Sequence, residues 1–122
     1  MEDELYREII LELYRNPDHK KILADFNAYQ KEQNPLCGDE VELFLKFDEQ
    51  NVLVDVGFQG EGCAISQAGV AMLTKHVLGK TKDELQNIAG EQLLAMLGLT
   101  NLNPTRMRCA LLGLKTMQKA LQ

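Results

Sequence analysis

The sequence has little of several features that mark common protein classes. It has no tryptophan, only three prolines, and no low-complexity segment that would indicate a flexible linker. No apolar run reaches the length of about 18 residues that a membrane-spanning helix needs. The first residues, Met1-Glu2-Asp3-Glu4, lack the basic region of a signal peptide and the arginine-rich pattern of a transit peptide. We therefore expect a cytoplasmic protein with no membrane partner.

Basic residues are in the minority. Thirteen Lys and Arg stand against eighteen Asp and Glu, which gives a net charge of −5 in a chain of 122 residues. Nucleic-acid binding usually requires a basic surface, so we expect no nucleic-acid partner. The length suits a single domain over residues 1–122, and area scaling predicts that folding buries about two thirds of the surface.

The three cysteines do not suit a disulfide framework. Their number is odd, and the sequence looks cytosolic. No two of Cys37, Cys63 and Cys109 form a Cys-x-x-Cys pair, so spacing alone does not identify a zinc site. Free cysteines often act as small buried hydrophobic residues, and composition leaves that interpretation open.

Alternating hydrophobicity predicts a small antiparallel sheet. Strands are expected over residues 41–47 and 52–58, joined by a polar hairpin turn, and residues 25–31 allow a short edge strand. Residues 60–62 are expected to form a loop. With the helices described next, the expected fold class is α+β, a small antiparallel sheet packed against helices.

Helical spacing accounts for most of the remaining chain. An amphipathic helix is expected over residues 3–15, and a second short helix around 19–23. A mostly buried helix is expected over 63–78, and the Thr81 capping box starts another that runs to about residue 89. Two more helices are expected: one over 91–97, and one at the C-terminus with Met107, Ala110, Leu114, Met117 and Leu121 on one face.

Each cysteine is expected where a loop meets a helix or strand. Cys63 and Cys109 are expected at or near helix N-termini, which favour thiolate over thiol. Three thiolates are one ligand short of a tetrahedral site, and Asp39, two residues after Cys37, supplies a fourth on the same face of an extended chain. This set suits Zn²⁺ or a small iron–sulfur cluster, and its hard carboxylate indicates a cargo that can be released. Alternatively, Asp39 is a turn residue or orients nearby N–H groups.

The three cysteine motifs resemble those of the iron–sulfur cluster scaffold family known as IscU, the NifU N-terminal domain or SufU. The matching segments occur in the family's order: Asn34-Pro35-Leu36-Cys37-Gly38-Asp39, Gly60-Glu61-Gly62-Cys63-Ala64-Ile65-Ser66 and Pro104-Thr105-Arg106-Met107-Arg108-Cys109-Ala110. The first helix, followed by Tyr14-Arg15-Asn16-Pro17, is similar to the SufU branch. The resemblance covers nearly the whole chain, and three motifs in order are specific where one would be weak.

The resemblance implies a fold, a site and partners. The fold would be a sheet of about three strands on helices, with the cysteine loops meeting at one end. Cys37, Asp39, Cys63 and Cys109 would bind a transient [2Fe–2S] cluster or, as in SufU members, Zn²⁺. A cysteine desulfurase would supply sulfur as a persulfide, with Cys63 or Cys37 as the acceptor. Apo iron–sulfur proteins would then receive the cluster.

The chain departs from both branches of the family. IscU proteins carry a histidine where this chain has Arg108, and SufU proteins carry a basic residue there. Only 45 residues separate Cys63 and Cys109, so the insertion typical of SufU proteins is expected to be missing. The segment Leu102-Asn103-Pro104-Thr105-Arg106 only partly matches the IscU motif Leu-Pro-Pro-Val-Lys, which argues against recognition by the dedicated Hsp70 chaperone.

Two functions of different class follow. The first is a scaffold and carrier that assembles a transient [2Fe–2S] cluster without turnover chemistry, and the missing insertion favours it. The second is a zinc-dependent sulfurtransferase, which Arg108 favours. A third possibility is a relative whose cysteines only pack. His19 and His76 are not expected to be ligands, since one lies in a polar stretch and the other lies far along a helix from Cys63.

Overall fold

The described part of the chain forms five helices and three strands. The computed structural model describes residues 2–35, 38–99 and 102–122. In chain order the elements are α1 (Glu2–Arg15), β1 (Ala28–Asn34), β2 (Asp39–Phe47), β3 (Leu53–Glu61), α2 (Ala64–Val77), α3 (Lys82–Gln86), α4 (Gly90–Leu97) and α5 (Pro104–Ala120). The predicted α+β class with a three-stranded antiparallel sheet is confirmed.

The sheet is an antiparallel meander in the order β1-β2-β3. Asn34 pairs with Asp39 where β1 turns into β2, so both residues lie at the same end of the sheet. Glu61, the last residue of β3, lies at that end as well, because Glu40 pairs with it. The β2–β3 hairpin lies at the opposite end, where the Asp48 carboxylate accepts bonds from the backbone N–H groups of Gln50 and Val52. Aspartate and asparagine are common turn residues, which is why the sequence predicted this hairpin.

Helices pack against one face of the sheet and bury the inward-facing residues of β2 and β3. The largest fully buried side chains come from β2, β3 and four of the helices: Val41, Leu43, Leu45, Leu53, Val56, Phe58, Val70, Leu73, Leu85, Leu93, Leu97 and Met117. Alternation with period two on the strands supplies half of this core, and helical stripes supply the rest.

An aromatic cluster on the outer side explains the one break in alternation. Phe44 points away from the helices but is only 6% exposed, because the rings of Phe26 and Tyr29 lie 5.3 and 5.4 Å from its own. Phe26 and Tyr29 are themselves about two-fifths exposed. These ring contacts remove the apolar Phe44 side chain from water at a position that alternation reserves for polar residues.

Several predicted boundaries were wrong. Residues 19–23 do not form a helix; Lys20 lies beside Phe58 of β3, whose N–H donates to the His19 carbonyl at 3.0 Å. The edge strand begins at Ala28 rather than residue 25, and β3 continues through the predicted loop to Glu61. Helix α3 ends at Gln86, short of the expected residue 89. In each case pairing or packing with a distant segment decided the outcome.

Candidate metal centre

Asp39 begins β2 and is almost completely buried, with 1% of its surface exposed. Its Oδ1 accepts a hydrogen bond from the backbone N–H of Cys63 at 2.8 Å, and its Oδ2 lies 3.5 Å from the Cys63 Sγ. Asp39 therefore orients a nearby N–H group, as one of the alternatives predicted, while its other oxygen faces a thiol. Gly62 allows this contact, since a Cβ at that position would lie 2.2 Å from Oδ1.

Cys63 is the N-cap residue of α2, as its sequence position predicted. It has extended backbone angles, and its Sγ accepts from the Ser66 N–H at 3.5 Å in the place usually taken by a serine or aspartate oxygen. The Ser66 hydroxyl donates to the Cys63 carbonyl at 3.0 Å. The side chain is only half-buried, so the sulfur can be reached from outside the molecule.

Cys109 lies deeper in the molecule than expected. The last helix begins at Pro104, with Asn103 as its N-cap, so Cys109 lies in the second turn rather than at the N-terminus. Its exposed fraction is 3%, and the side-chain amide of Asn34 lies 3.9 Å from its Sγ, in position to donate. The helix dipole acts weakly in the second turn, so the polarity around this sulfur comes from neighbours such as Asn34.

The folded chain brings Asp39, Cys63 and Cys109 together from three separate elements. One ligand atom of each lies within 4.8 Å of the others. Among the described residues this group matches three of the four predicted site residues. The fourth, Cys37, lies outside the described residues.

Close packing of α2 against α5 sets the distance between the two sulfur atoms. A Cβ on Gly69 of α2 would lie 2.4 Å from the Ala110 carbonyl oxygen, and a Cβ on Gly113 of α5 would lie 2.8 Å from the Val70 Cβ. Each glycine removes the side chain that would push the helices apart. Because Ala110 directly follows Cys109, the backbone that carries one thiol is held against the helix that begins at the other.

The donor set fits a tetrahedral metal ion. Typical zinc bond lengths imply a sulfur–oxygen edge of about 3.6 Å and a sulfur–sulfur edge of about 3.8 Å in a tetrahedron. The Cys63 Sγ and Asp39 Oδ2 are already 3.5 Å apart. With all three ligand atoms inside 4.8 Å, movements of about 1 Å or less bring them to metal-binding distances. Two thiolates and a carboxylate also suit iron.

Ion pairs fix the strands next to the site. Lys31 of β1 lies 2.7 Å from Glu40, the residue after Asp39, and this contact lowers the pKa of Glu40. On the same strand Glu32 pairs with Lys119 of α5, which lowers the pKa of Glu32. Both carboxylates are therefore held ionised and engaged with lysines. The second pair also ties β1 to the helix that carries Cys109.

Sequence reasoning missed three residues around the centre. Asn34 stood out only as part of a cysteine motif, and nothing in the sequence indicated that its amide would face the Cys109 sulfur. Ser66 completes the cap of α2, and its position three residues after Cys63 could have indicated this. Gln67 is 4% exposed, and neither polar atom of its amide has a hydrogen-bond partner in the structure. No signal in the sequence indicated its burial.

Fold and site together define a class of protein: a small α+β domain in which two cysteines and an aspartate form a candidate metal centre where one sheet end meets two helices. The sequence model of the NifU-like N terminal domain family matches residues 5–122. The chain belongs to this family, as its three cysteine motifs predicted. Among the described residues, no helix is both long and apolar enough to cross a bilayer.

The curated relatives include proteins from both branches of the family, SufU and IscU. The chain is 32% identical to the zinc-dependent sulfurtransferase SufU of Bacillus subtilis, over 98% of this chain and 90% of that protein. It is 29% identical to the iron–sulfur cluster assembly scaffold protein IscU of Thermotoga maritima, over 97% and 93% of the two chains. The alignment with the Bacillus protein has 136 positions, whereas 98% of 122 residues is about 120, so about 16 positions of the relative have no counterpart here.

Solved structures of the family share the fold. An iron–sulfur cluster assembly scaffold protein for the SUF system from Fervidobacterium islandicum superposes with a TM-score of 0.83 at 30% identity, covering 94% of this chain and 95% of that one. The N-terminal part of a nitrogen-fixing NifU-like protein from Brucella abortus gives 0.77 at 25% identity, covering 98% and 93%.

Proposed function

We propose that this chain is an iron–sulfur cluster scaffold that assembles a transient [2Fe–2S] cluster on Cys37, Asp39, Cys63 and Cys109 and passes it to apo-proteins. One observation carries the proposal: an aspartate and two cysteines from three elements place their ligand atoms within 4.8 Å of one another. Cys37 is two residues from Asp39, so covalent geometry alone keeps their Cα atoms within about 7 Å.

The exposure of the thiols suggests how sulfur enters. Cys63 is half-buried and lies at a helix N-terminus, whereas Cys109 is buried. A persulfide on a cysteine desulfurase can therefore be attacked by the Cys63 thiolate at its outer sulfur. The new sulfur–sulfur bond forms on this chain, the bond within the donor breaks, and the desulfurase cysteine leaves as thiolate. Cys37 is the other candidate acceptor.

Cluster formation has a simple electron balance. Two sulfane sulfurs take up four electrons to become two sulfides. Two ferrous ions supply two of these electrons as they become ferric, and a one-electron carrier protein supplies the other two. The protein contributes ligands, orientation and a site protected from bulk water on the Cys109 side. The carboxylate of Asp39 is the hardest ligand for such a cargo and is therefore the natural point of release.

The proposed partners follow from this chemistry. A cysteine desulfurase and apo iron–sulfur proteins are required, and we place the reaction in the cytoplasm. The Thermotoga relative is named as an iron–sulfur cluster assembly scaffold protein. A single domain over residues 1–122 suffices, since the ligands span positions 37 to 109.

The second candidate function is a zinc-dependent sulfurtransferase. The Bacillus relative bears that name. The sulfur–oxygen distance of 3.5 Å between Cys63 and Asp39, close to a zinc tetrahedron's edge, favours it, as does the basic Arg108 beside Cys109. When bound, zinc would hold the thiolates ionised and positioned. Chain length does not decide between the two, because the alignment with the Thermotoga scaffold protein has 133 positions over 97% of this chain and so also leaves about 15 positions without a counterpart here.

Metal and sulfide content decides between the two functions. Zinc, iron and acid-labile sulfide are measured per chain on protein purified without oxygen and after incubation with a desulfurase, L-cysteine, ferrous iron and a reductant. Equimolar iron and sulfide support the scaffold. One zinc without sulfide, together with persulfide uptake from the desulfurase, supports the sulfurtransferase. A chain that binds neither metal nor sulfur contradicts both.

Matched variants test the ligand assignment. Cys109→Ser should abolish metal binding. Asp39→Ala should change metal binding as well, because it removes the proposed carboxylate ligand. Glu61→Ala, which removes an exposed carboxylate at the same sheet end, should leave it unchanged. Full metal stoichiometry in Cys109→Ser would show that the site is assigned wrongly.

A further inference from the structure

A second functional surface lies beside the metal centre, in a groove along α5. It has a volume of about 1120 Å³ and runs between α5, the end of β1 and the α3–α4 connection. We call it the α5 groove and define it by the lining residues Asn34, Ile88, Met107, Arg108, Leu111 and Lys115, together with neighbours that include Lys119. None of the three proposed ligands that the structure describes, Asp39, Cys63 and Cys109, lines it, so it requires an explanation of its own.

The floor of the α5 groove is apolar and partly open to water. Met107 and Leu111 are one turn apart on α5 and form a stripe that continues to Ile88. Met107 is 39% exposed, although its sequence pattern predicted a core residue. Gly90 widens the groove on the opposite wall, because a Cβ there would lie 3.1 Å from a Leu111 methyl group. An exposed apolar floor of this kind is typical of a surface that binds a partner.

The charged residues of the groove all have one sign. Arg108, Lys115 and Lys119 line it, and no aspartate or glutamate is found among its described lining residues. This is unusual in a chain with net charge −5. Glu32 on β1 neutralises Lys119, but in the described ranges neither Arg108 nor Lys115 forms an ion pair. The groove thus combines apolar anchor sites with two cations that form no direct ion pair among the described residues, although the charge of Lys115 also acts on Glu32.

Charge and shape together identify the occupant. The cations would attract carboxylates, and the apolar floor would accept aliphatic or aromatic side chains. A single-stranded nucleic acid would instead need aromatic side chains on which to stack, and the described lining contains none. An acidic peptide segment with apolar anchors therefore fits better than a nucleic acid.

The groove begins next to the proposed cargo site. Asn34 lines the groove, and its amide lies 3.9 Å from the Cys109 Sγ. Arg108 directly precedes Cys109 in the chain. A segment seated in the groove would therefore have one end beside the metal centre.

We propose that the α5 groove is the docking site for an acidic, apolar segment of a partner protein. Arg108 and Lys115 bind its carboxylates, and Met107, Leu111 and Ile88 receive its apolar side chains. The segment holds the partner so that its own thiols reach the centre. This inference goes beyond the proposed function, since docking on α5 does not depend on which metal the centre holds.

Selection from a random library of displayed dodecapeptides tests this proposal and does not require the partner to be identified first. The full-length chain is immobilised, and enriched peptides are synthesised for affinity measurements. We expect enriched sequences with net negative charge and at least two apolar residues. Their affinity should fall about tenfold in Lys115→Glu and further in Arg108→Glu/Lys115→Glu. Chemical shifts perturbed by the peptides should cluster on α5 and around Ile88.

Lys20→Glu is the matched control. It makes the same charge change at an exposed lysine beside β3, away from the groove, and should leave peptide affinity unchanged. Circular dichroism verifies that each variant is folded. The proposal is overturned if no peptide is enriched, if enriched peptides are not acidic, or if they bind the groove variants as well as the parent. A labelled single-stranded oligonucleotide that binds the parent and loses binding in Lys115→Glu would also overturn it.

Discussion

Replacing Gly62 by alanine should disrupt the metal centre through Asp39. The added Cβ would lie 2.2 Å from the Asp39 Oδ1 and 2.7 Å from its Cγ, so the carboxylate must move. Moving it breaks the 2.8 Å hydrogen bond from the Cys63 N–H. A hydrogen bond to a charged group is worth about 1.5–3 kcal/mol. The backbone at Gly62, with φ of +149°, adds strain of about 1–3 kcal/mol for alanine. The free energy of unfolding should therefore fall by about 2.5–6 kcal/mol.

Gly79→Ala separates backbone strain from the contact with Asp39. Gly79 has φ of +87°, but a Cβ there would meet nothing within 4 Å. This control should cost only about 1–2 kcal/mol. Urea denaturation of the metal-free proteins measures both losses. Zinc affinity, from competition with a chromophoric chelator, should fall by about 10–100-fold in Gly62→Ala and stay unchanged in Gly79→Ala.

Comparing Gly62→Ala in the parent and in an Asp39→Ala background can refute this reasoning. Because the clash needs the carboxylate, Gly62→Ala should cost less in an Asp39→Ala background than in the parent. Equal losses in the two backgrounds, or equal zinc affinity in Gly62→Ala and Gly79→Ala, would show that the close contact does not position the carboxylate.

Three further predictions concern the ligand shell and one helix cap. Asp39→Ala should lengthen the half-life of a reconstituted cluster, on the order of tenfold, because it alters the weakest ligand and the proton or water access there; decay of visible absorbance measures this, and equal decay in both proteins would contradict it. Asn34→Asp should weaken zinc binding about tenfold, because it replaces an N–H donor 3.9 Å from the Cys109 sulfur with a negative charge like that of the thiolate. Gln33→Glu, on the exposed side of β1, should have no such effect in the same chelator assay. Thr81→Ala should reduce the free energy of unfolding by about 1 kcal/mol in urea, since Thr81 caps α3; an unchanged midpoint would count against the cap.

The last of these predictions also has a pH dependence. The Thr81 backbone N–H donates to Glu84 and lowers the pKa of this carboxyl. A lowered pKa in the folded state means that the contribution is fully present above the unfolded pKa of Glu84, and it is lost as pH falls through the folded value. Stability measured in the parent and in Glu84→Gln should therefore converge in acid. A difference that grows in acid would contradict the assignment.

The sequence was most informative where local chemistry decides the structure. The Thr81 capping box, the Asp48 turn and the alternation of β2 depend on neighbours within a few residues, and all three are found in the structure. Residues 19–23 show the opposite case. Their short apolar pattern suits a helix, but a single bridge between Lys20 and Phe58 places this turn beside β3, and no local signal encodes that contact.

The candidate site was predictable as a set of residues but not as a geometry. Motif order identified Asp39, Cys63 and Cys109, yet their distances depend on packing between elements far apart in the chain. The sequence placed Cys109 near a helix start, whereas the N-cap at Asn103 leaves it in the second turn. The roles of Asn34 and Gly62 are likewise visible only once β1, β2 and α2 are brought together.

The candidate ligands differ in burial, so the centre has one buried side and one accessible side. Cys109 is buried on a helix locked to α2 by glycine contacts, so its sulfur is fixed by the core. Cys63 is half-buried at a helix end, and the Asp39 carboxylate accepts a hydrogen bond from its backbone N–H. If the proposed function holds, a cargo on these three residues would be fixed on the Cys109 side and accessible on the Cys63 side. Sulfur delivery and cargo release should therefore share that open face, and neither Cys63 nor Asp39 lines the α5 groove.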